Sequence, residues 1–295
     1  MVVCTLREKK EIMPCIISAK KQTRKFDEII IIADKKMNIT GAKVYVQKGK
    51  GLPNARNQSL EIVKGDIIVF WDDDVVVEKN WLSEVLKIYK KHPEAGGVGG
   101  KIKRLYIQDI KKGFFGKLMR AYGKVFGISG FFGSIHEGIG KILPNGFAAI
   151  NWEKLDKLTE VEWLPGCGMS FRKKVMDEVG FFDESLIGNS YYEDVDYSYR
   201  VFLAGYKLYA TPKAVMDHLV SPTAREKVPK LKYFQLYNQK IFFEKNVHQG
   251  SLIRKAYNNI THFSIFLPML LYSLIMKEPD MIKAYIKAEF KKPFQ

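Results

Sequence analysis

The sequence predicts an α/β protein: a doubly wound mixed sheet flanked by helices, with a basic, amphipathic helical C-terminal extension. Two observations carry the sheet. Apolar runs of strand length alternate with segments of helical spacing through the first part of the chain. Those runs end on polar or acidic residues, at Thr5, at Asp34 and at Asp72-Asp73-Asp74. Ligands of open α/β sheets bind beyond the carboxyl ends of the strands, so polar groups at three such ends mark one edge as functional. A third observation carries the extension. Residues 222–295 hold 13 Lys and Arg against 5 acids, about half of the chain's net charge of +16.

Residues 1–5 read as a first buried strand and 11–23 as a helix. Residues 26–33, with the core Ile29-Ile30-Ile31-Ile32, form a second strand and 44–46 a short third. After the loop Gly49-Lys50-Gly51-Leu52-Pro53, residues 54–64 form a helix stopped by Gly65. Residues 66–71 re-enter the sheet and run into the acidic triplet. A helix over 80–91 closes before Pro93, and Gly96-Gly97-Val98-Gly99-Gly100 opens another strand. That glycine run lacks the spacing of a phosphate loop and reads as backbone passing close to a neighbour.

Residues 104–160, rich in Gly, Phe and Lys, read as an insertion or acceptor-side flap within a domain spanning 1–220. It contains an amphipathic piece near 114–126 and a loose tract over 127–146. Residues 161–171 resume the sheet, and 172–179 form a short helix ending at Gly180. Glu193 and Asp194 lead a helix that runs to Ala204, and ordinary dipole complementarity accounts for acids there. Residues 207–211 and 214–218 are two further strands, the second ending on His218. Residues 221–295 form the separate basic region. Its alternating bases, aromatics and aliphatics suit helices on an anionic interface, or helices packed on the catalytic domain with a solvated basic face.

The triplet has two readings on its own. Asp is common where a chain turns into a helix. Alternatively, side chains two apart on a strand share a face, so Asp72 and Asp74 point together and Asp73 away. Clustered carboxylates raise one another's pKa unless a cation lies between them, and oxygen ligands suit Mg²⁺ or Mn²⁺.

Composition narrows the class. Hydrophobic content of 46% and charged content of 27% are those of a globular protein, and +16 suggests a polyanionic partner. Cys4, Cys15 and Cys167 are odd in number and lack CxxC spacing, which favours free thiols in a reducing compartment. The longest apolar run, 263–276, contains Pro268 and falls short of the roughly 20 residues of a spanning helix. The expected location is cytoplasmic, with peripheral contact at the inner face of the cell membrane.

Several motifs in order resemble family 2 glycosyltransferases of the GT-A fold over approximately residues 1–220. They are Asp34, Gly51-Leu52-Pro53-Asn54-Ala55-Arg56-Asn57, the triplet, Leu164-Pro165-Gly166-Cys167-Gly168-Met169-Ser170-Phe171-Arg172, Gly180-Phe181-Phe182-Asp183-Glu184, Glu193-Asp194-Val195-Asp196, Gly205 and His218. The resemblance implies a nucleotide-diphosphate sugar donor. Asp34 would contact its base, with Thr5 and Glu8 lining the same pocket and Arg56 near base and ribose. The triplet resembles the family's DxD motif, with Asp72 and Asp73 on the donor, Asp74 the principal metal ligand and His218 a further one. Asp194 would be the catalytic base, with Glu193 beside it and Trp163 on the sugar or acceptor side. An inverting transfer needs such a carboxylate to take the acceptor hydroxyl's proton.

No Gln-x-x-Arg-Trp sequence follows Asp194, which argues against the family's processive synthases and for single-sugar transfer, and the basic, aromatic tail points to a lipid-linked or other anionic glycan acceptor. The first strand begins nearer the chain start than the family usually has. Two other functions fit parts of the sequence. A sugar-phosphate nucleotidyltransferase would carry a glycine-rich basic loop where Leu6-Arg7-Glu8-Lys9-Lys10 stands. A non-catalytic basic protein binding nucleic acid or membrane would explain the charge, yet acids at the strand ends repel a phosphate backbone and no specific nucleic-acid module is visible.

Overall fold

The computed structural model describes residues 1–103, 121–123, 125–126, 138–188, 191–219 and 226–291. Most of the expected amphipathic piece near 114–126 and of the tract over 127–146 lies outside the described residues. The chain divides into two compact units, one of Met1–Tyr106, Trp152–Ser185 and Glu193–Ala224, the other of Ile107–Asn151, Leu186–Tyr192 and Arg225–Gln295.

The strands are β1 (Val2–Thr5), β2 (Ile30–Ala33), β3 (Lys43–Val46), β4 (Ile67–Asp72), β5 (Val75–Val77), β6 (Ala95–Ile102), β7 (Ile139–Ile142), β8 (Ala148–Ile150), β9 (Thr159–Val161), β10 (Gly168–Arg172) and β11 (Lys207–His218). The first unit holds a nine-stranded sheet ordered β3-β2-β1-β4-β10-β6-β11-β5, with β9 on β11. Pairings from β3 to β4 and between β6 and β11 are parallel; β10 runs antiparallel between β4 and β6. Strands covered on both faces read as unbroken apolar runs, and all four residues of β2 are buried. Burying each Ile there contributes about 1.5–3 kcal/mol.

Five helices accompany this sheet: α1 (Lys9–Lys20), α2 (Leu52–Leu60), α3 (Trp81–Lys91), α4 (Lys173–Val179) and α5 (Glu193–Leu203). α1 opens with a reciprocal capping box between Glu8 and Glu11. α2 starts earlier than its apolar pattern suggested because Pro53 sits in the first turn, where a missing N–H costs nothing.

Two local features differ from the sequence-based expectation. β5 is only three residues long, too short for any periodicity, and is held by pairing with the end of β11. The two strands expected over 207–218 are one strand whose register shifts between Thr211 and Val215. Pro212 lies in that interval and has no N–H for the ladder, so the irregularity sits where the sequence suggested a break. The glycine run forms the first part of β6, as expected. A Cβ on Gly100 would sit 2.0 Å from the Ala214 carbonyl oxygen, which shows why glycine is needed for that close approach.

The second unit contains the β7–β8 hairpin, α6 (Val228–Phe242), a π turn at Phe243–Val247, α7 (Leu252–Ile275) and α8 (Asp280–Glu289). Its core is built from Phe147, Tyr233, Leu236, Ile265, Met269 and Tyr285. Ser251 caps α7, its hydroxyl accepting from the Arg254 N–H at 3.3 Å.

Candidate active site

The sheet order brings the predicted residues to one edge. Thr5 pairs with Ala33 and Cys4 with Asp72, so the carboxyl ends of β2, β1 and β4 align. β10 runs the other way, so Gly166 and Cys167, just ahead of it, reach the same edge. At the end of β11, His218 is in register with Val75, and the Leu219 N–H donates to the Asp74 carbonyl at 2.9 Å. A His 144 residues away in sequence is thereby placed against the triplet.

Within the triplet the side chains separate by role. Asp73 turns to Thr5, whose hydroxyl donates to it at 2.5 Å, and to Arg7 at 2.9 Å. Asp74 meets His218 Nε2 at 2.9 Å and Arg7 at 3.1 Å. Asp72 lies 3.9 Å from His218 Nε2 and 3.7 Å from Arg56. One ligand atom from each of Asp72, Asp74 and His218 falls within 4.8 Å of the others, close enough to share one ion. Two carboxylate oxygens and an imidazole nitrogen fit a divalent cation.

The electrostatics of this cluster follow from burial and crowding. Burial pushes Asp73 up to about 6, against the pull of the Thr5 hydroxyl and Arg7. Burial also raises Asp72, against His218 and Arg56. For His218 burial works downward, but the bonds to Asp74 and Cys167 and the charge of Asp72 outweigh it and lift the imidazole to about 11. The imidazolium and the Arg7 guanidinium therefore stand between carboxylates that could not otherwise crowd together.

A second acidic site opens α5. Asp194 Oδ2 accepts from the Gly166 N–H at 2.6 Å and Oδ1 from the Val195 N–H at 2.8 Å. Glu193 is buried and bonds Arg56 at 3.2 Å. Arg56 thus bridges the two acidic sites, touching Glu193 on one side and Asp72 on the other. Burial opposes its charge, but Glu193 and Asp72 raise its pKa. Its guanidinium also lies over the rings of Phe182 (5.4 Å) and Phe70 (5.8 Å). Burial raises both acids, Glu193 further by the charge of Asp194, with Arg56 pulling each down.

The motif around Phe182 holds this arrangement in place. Asn57 donates to the Phe182 carbonyl at 3.0 Å and accepts its N–H at 2.8 Å, and Glu184 accepts from both Asn57 and Asn54. Those bonds fix the face of α2 that carries Arg56. Phe182 in turn stacks on Tyr197 of α5 at 4.1 Å.

The remaining predicted residues are placed less centrally. Asp34 is exposed just beyond β2, its N–H donating to the Thr5 carbonyl at 3.3 Å. Glu8 caps α1 and is ion-paired with Lys35. Trp163 is buried edge-to-face on Trp152 (5.1 Å), with no hydrogen-bond partner on its indole N–H. Arg7 is the participant that sequence reasoning passed over. Its one signal was position, two residues past Thr5 at a strand end. Cys4, Cys15 and Cys167 are free thiols.

The fold is that of GT-A glycosyltransferases. The crystal structure of GalNAc-T7 with UDP, GalNAc and Mn²⁺ aligns at TM-score 0.57 and 16% identity, covering 82% of this chain and 47% of that one. The mannosyltransferase PcManGT of Pyrobaculum calidifontis, in complex with GDP-Man and Mn²⁺, aligns at 0.56 and 15%, covering 98% and 85%. The family described as "Glycosyl transferase family 2" matches residues 1–113, and that described as "Glycosyl transferase family group 2" matches 67–277. The chain therefore belongs to the family 2 glycosyltransferases. The uncharacterized protein y4gI of Sinorhizobium fredii is 28% identical over 163 residues, and the chain spans 55% of its own length but only 16% of that relative.

Proposed function

We propose that the protein transfers one sugar, with inversion, from a nucleotide-diphosphate sugar to a lipid-linked or other glycan hydroxyl. The single observation that carries this reading is Arg56, which joins a cation-ligand set on one side to Glu193, the neighbour of the base candidate Asp194, on the other. The donor would lie along the edge formed by Thr5, Asp34 and Asp72, and the structural neighbours solved with UDP or GDP-Man favour that class of donor. Asp72, Asp74 and His218 would hold a divalent cation. When bound, such an ion supplies positive charge for the diphosphate leaving group.

The chain's own residues supply the rest. Arg7 fixes Asp73 and Asp74, so the ligand carboxylate of Asp74 is oriented in advance. Asp194 is anchored by two backbone N–H donors, and each of its oxygens keeps a further lone pair. That carboxylate takes the acceptor hydroxyl's proton as the oxygen attacks the anomeric carbon and the bond to the diphosphate breaks. Residues 1–220 would form the catalytic domain, with 104–160 as an acceptor-side flap and Trp163 a sugar or acceptor-side contact. Among the described residues no helix is long and apolar enough to cross a membrane. A peripheral site at the inner face of the cell membrane, reached through the basic region 221–295, is part of this reading.

Product stereochemistry is its test. The product is expected to have the anomeric configuration opposite to that of the donor, read by proton NMR coupling constants at the new linkage. A retained configuration would remove Asp194 from the role of base.

A further inference from the structure

In α7 the usual polarity of a surface helix is reversed. The residues it turns inward are largely polar. Asn258 donates to the Asn145 carbonyl at 2.8 Å, Thr261 to the Phe126 carbonyl at 3.0 Å, and Ser264 to the Thr261 carbonyl at 2.7 Å. His262 is buried between Glu289 at 2.6 Å and Gln239 at 2.5 Å. The residues it turns outward are mostly apolar. Ile253, Ile260, Leu267 and Leu274 recur every seven residues on one face, with Phe263 beside them. Ile253 is 83% exposed, Phe263 77% and Leu274 67%. A helix in water places its apolar stripe inward and its polar residues outward. Here the polar residues are satisfied inside, and most of the solvent face of a 24-residue helix, about 36 Å long, is left apolar, with Lys255 and Asn259 as its exposed polar residues.

Charge identifies what covers that face. Between residues 252 and 291 there are six Lys and Arg against three acids. One of those acids, Glu289, is turned inward to His262 and Lys240. Arg254 and Lys255 stand at one end of α7 and Lys277 follows the other. α8 packs on α7 through the rings of Tyr285 and Phe266, 5.6 Å apart. It adds Lys283, Lys287 and Lys291 together with the exposed side chains of Ile286 and Phe290. A second copy of this surface would set like charges against like. An anionic bilayer offers both an apolar layer and negative headgroups.

We infer that the outer face of α7, extended by α8, lies in the plane of an anionic lipid bilayer, with its apolar row in the acyl boundary and its bases among the headgroups. The inference rests on the peripheral-membrane part of the proposed function, not on the transfer chemistry. It names the surface that makes the contact and the lipid class that it selects.

The test uses the full chain, wild type and the triple variant Ile260→Ser/Phe263→Ser/Leu267→Ser. These side chains face solvent, so the variant is expected to fold and to keep the thermal shift given by nucleoside diphosphate with Mn²⁺. That control separates failure of this inference from failure of the active-site reading. Sedimentation is measured with vesicles of equal parts phosphatidylglycerol and phosphatidylcholine, and with phosphatidylcholine alone. Wild type is expected to bind the anionic vesicles at least about tenfold more strongly than the neutral ones. The triple variant is expected to lose at least about tenfold on the anionic vesicles. In a second variant, Phe263→Trp, emission is expected to shift to the blue when anionic vesicles are added. Equal vesicle binding by wild type and triple variant, an unshifted emission, or a lipid-independent dimer dissolved by the three substitutions would each overturn the inference.

Discussion

Asp194→Asn is expected to lower the transfer rate by about 10²–10⁴-fold, the usual contribution of a positioned base, while nucleotide binding survives. The amide keeps the volume of the carboxylate and one oxygen for the Gly166 or Val195 N–H, so the loop and α5 stay in place. Proton acceptance is lost, together with one of the two backbone hydrogen bonds. Wild-type pH dependence provides a second readout of the same group. Burial lifts the Asp194 carboxyl above its ordinary value. A base works ionised, so activity is present above that raised pKa and falls as pH drops through it. The acid limb of kcat/KM therefore belongs above the ordinary aspartate value of about 4. An acid limb at or below that value, or an Asp194→Asn enzyme within a few-fold of wild type, would assign the proton to another group.

Arg56→Met is expected to cost about 3–5 kcal/mol of stability, measured by urea unfolding, because it strips the cation from a buried pair and strands Glu193. Both partners are nearly inaccessible, with side-chain exposures of 3% and 5%, so solvent screening offers little relief. Adding Glu193→Gln to Arg56→Met is expected to recover part of the loss, since the stranded charge is then removed. Arg56→Lys is expected to rescue poorly. A lysine lacks the planar fork that reaches Glu193 and Asp72 while lying on the Phe70 and Phe182 rings. A single-variant loss below about 1 kcal/mol would mean that the bridge is solvated rather than buried.

What the sequence made legible was the sheet and the acids at its strand ends. Buried parallel strands such as β2 read as unbroken apolar runs, and the acids that terminate β4 stand out against them. The antiparallel insertion of β10 was not legible, because its residues are apolar enough for either direction. Pro212 suggested two strands where the chain makes one, since a lost ladder bond interrupts the pattern without ending the strand. Arg7 was missed for a related reason. A single Arg after a strand has no periodicity, and its partners, Asp73 and Asp74, lie 66 and 67 residues away in sequence, as does His218 from Asp74 at greater distance. In the tail, spacing alone marked α7 as an amphipathic helix. Only packing shows that its polar side points inward.

The central claim is that Asp72, Asp74 and His218 hold a cation that serves a nucleoside diphosphate. The measurement that tests it most directly is a thermal-shift screen of UDP, GDP, dTDP and CDP, with and without Mn²⁺, on wild type and Asp74→Asn, each read against its own ligand-free melting temperature. One diphosphate at saturating concentration is expected to raise the wild-type melting temperature by about 5 °C only when Mn²⁺ is present, and Asp74→Asn is expected to abolish the rise. A shift that ignores Mn²⁺, or one that survives in Asp74→Asn, would contradict the assignment of this cluster as the cation site.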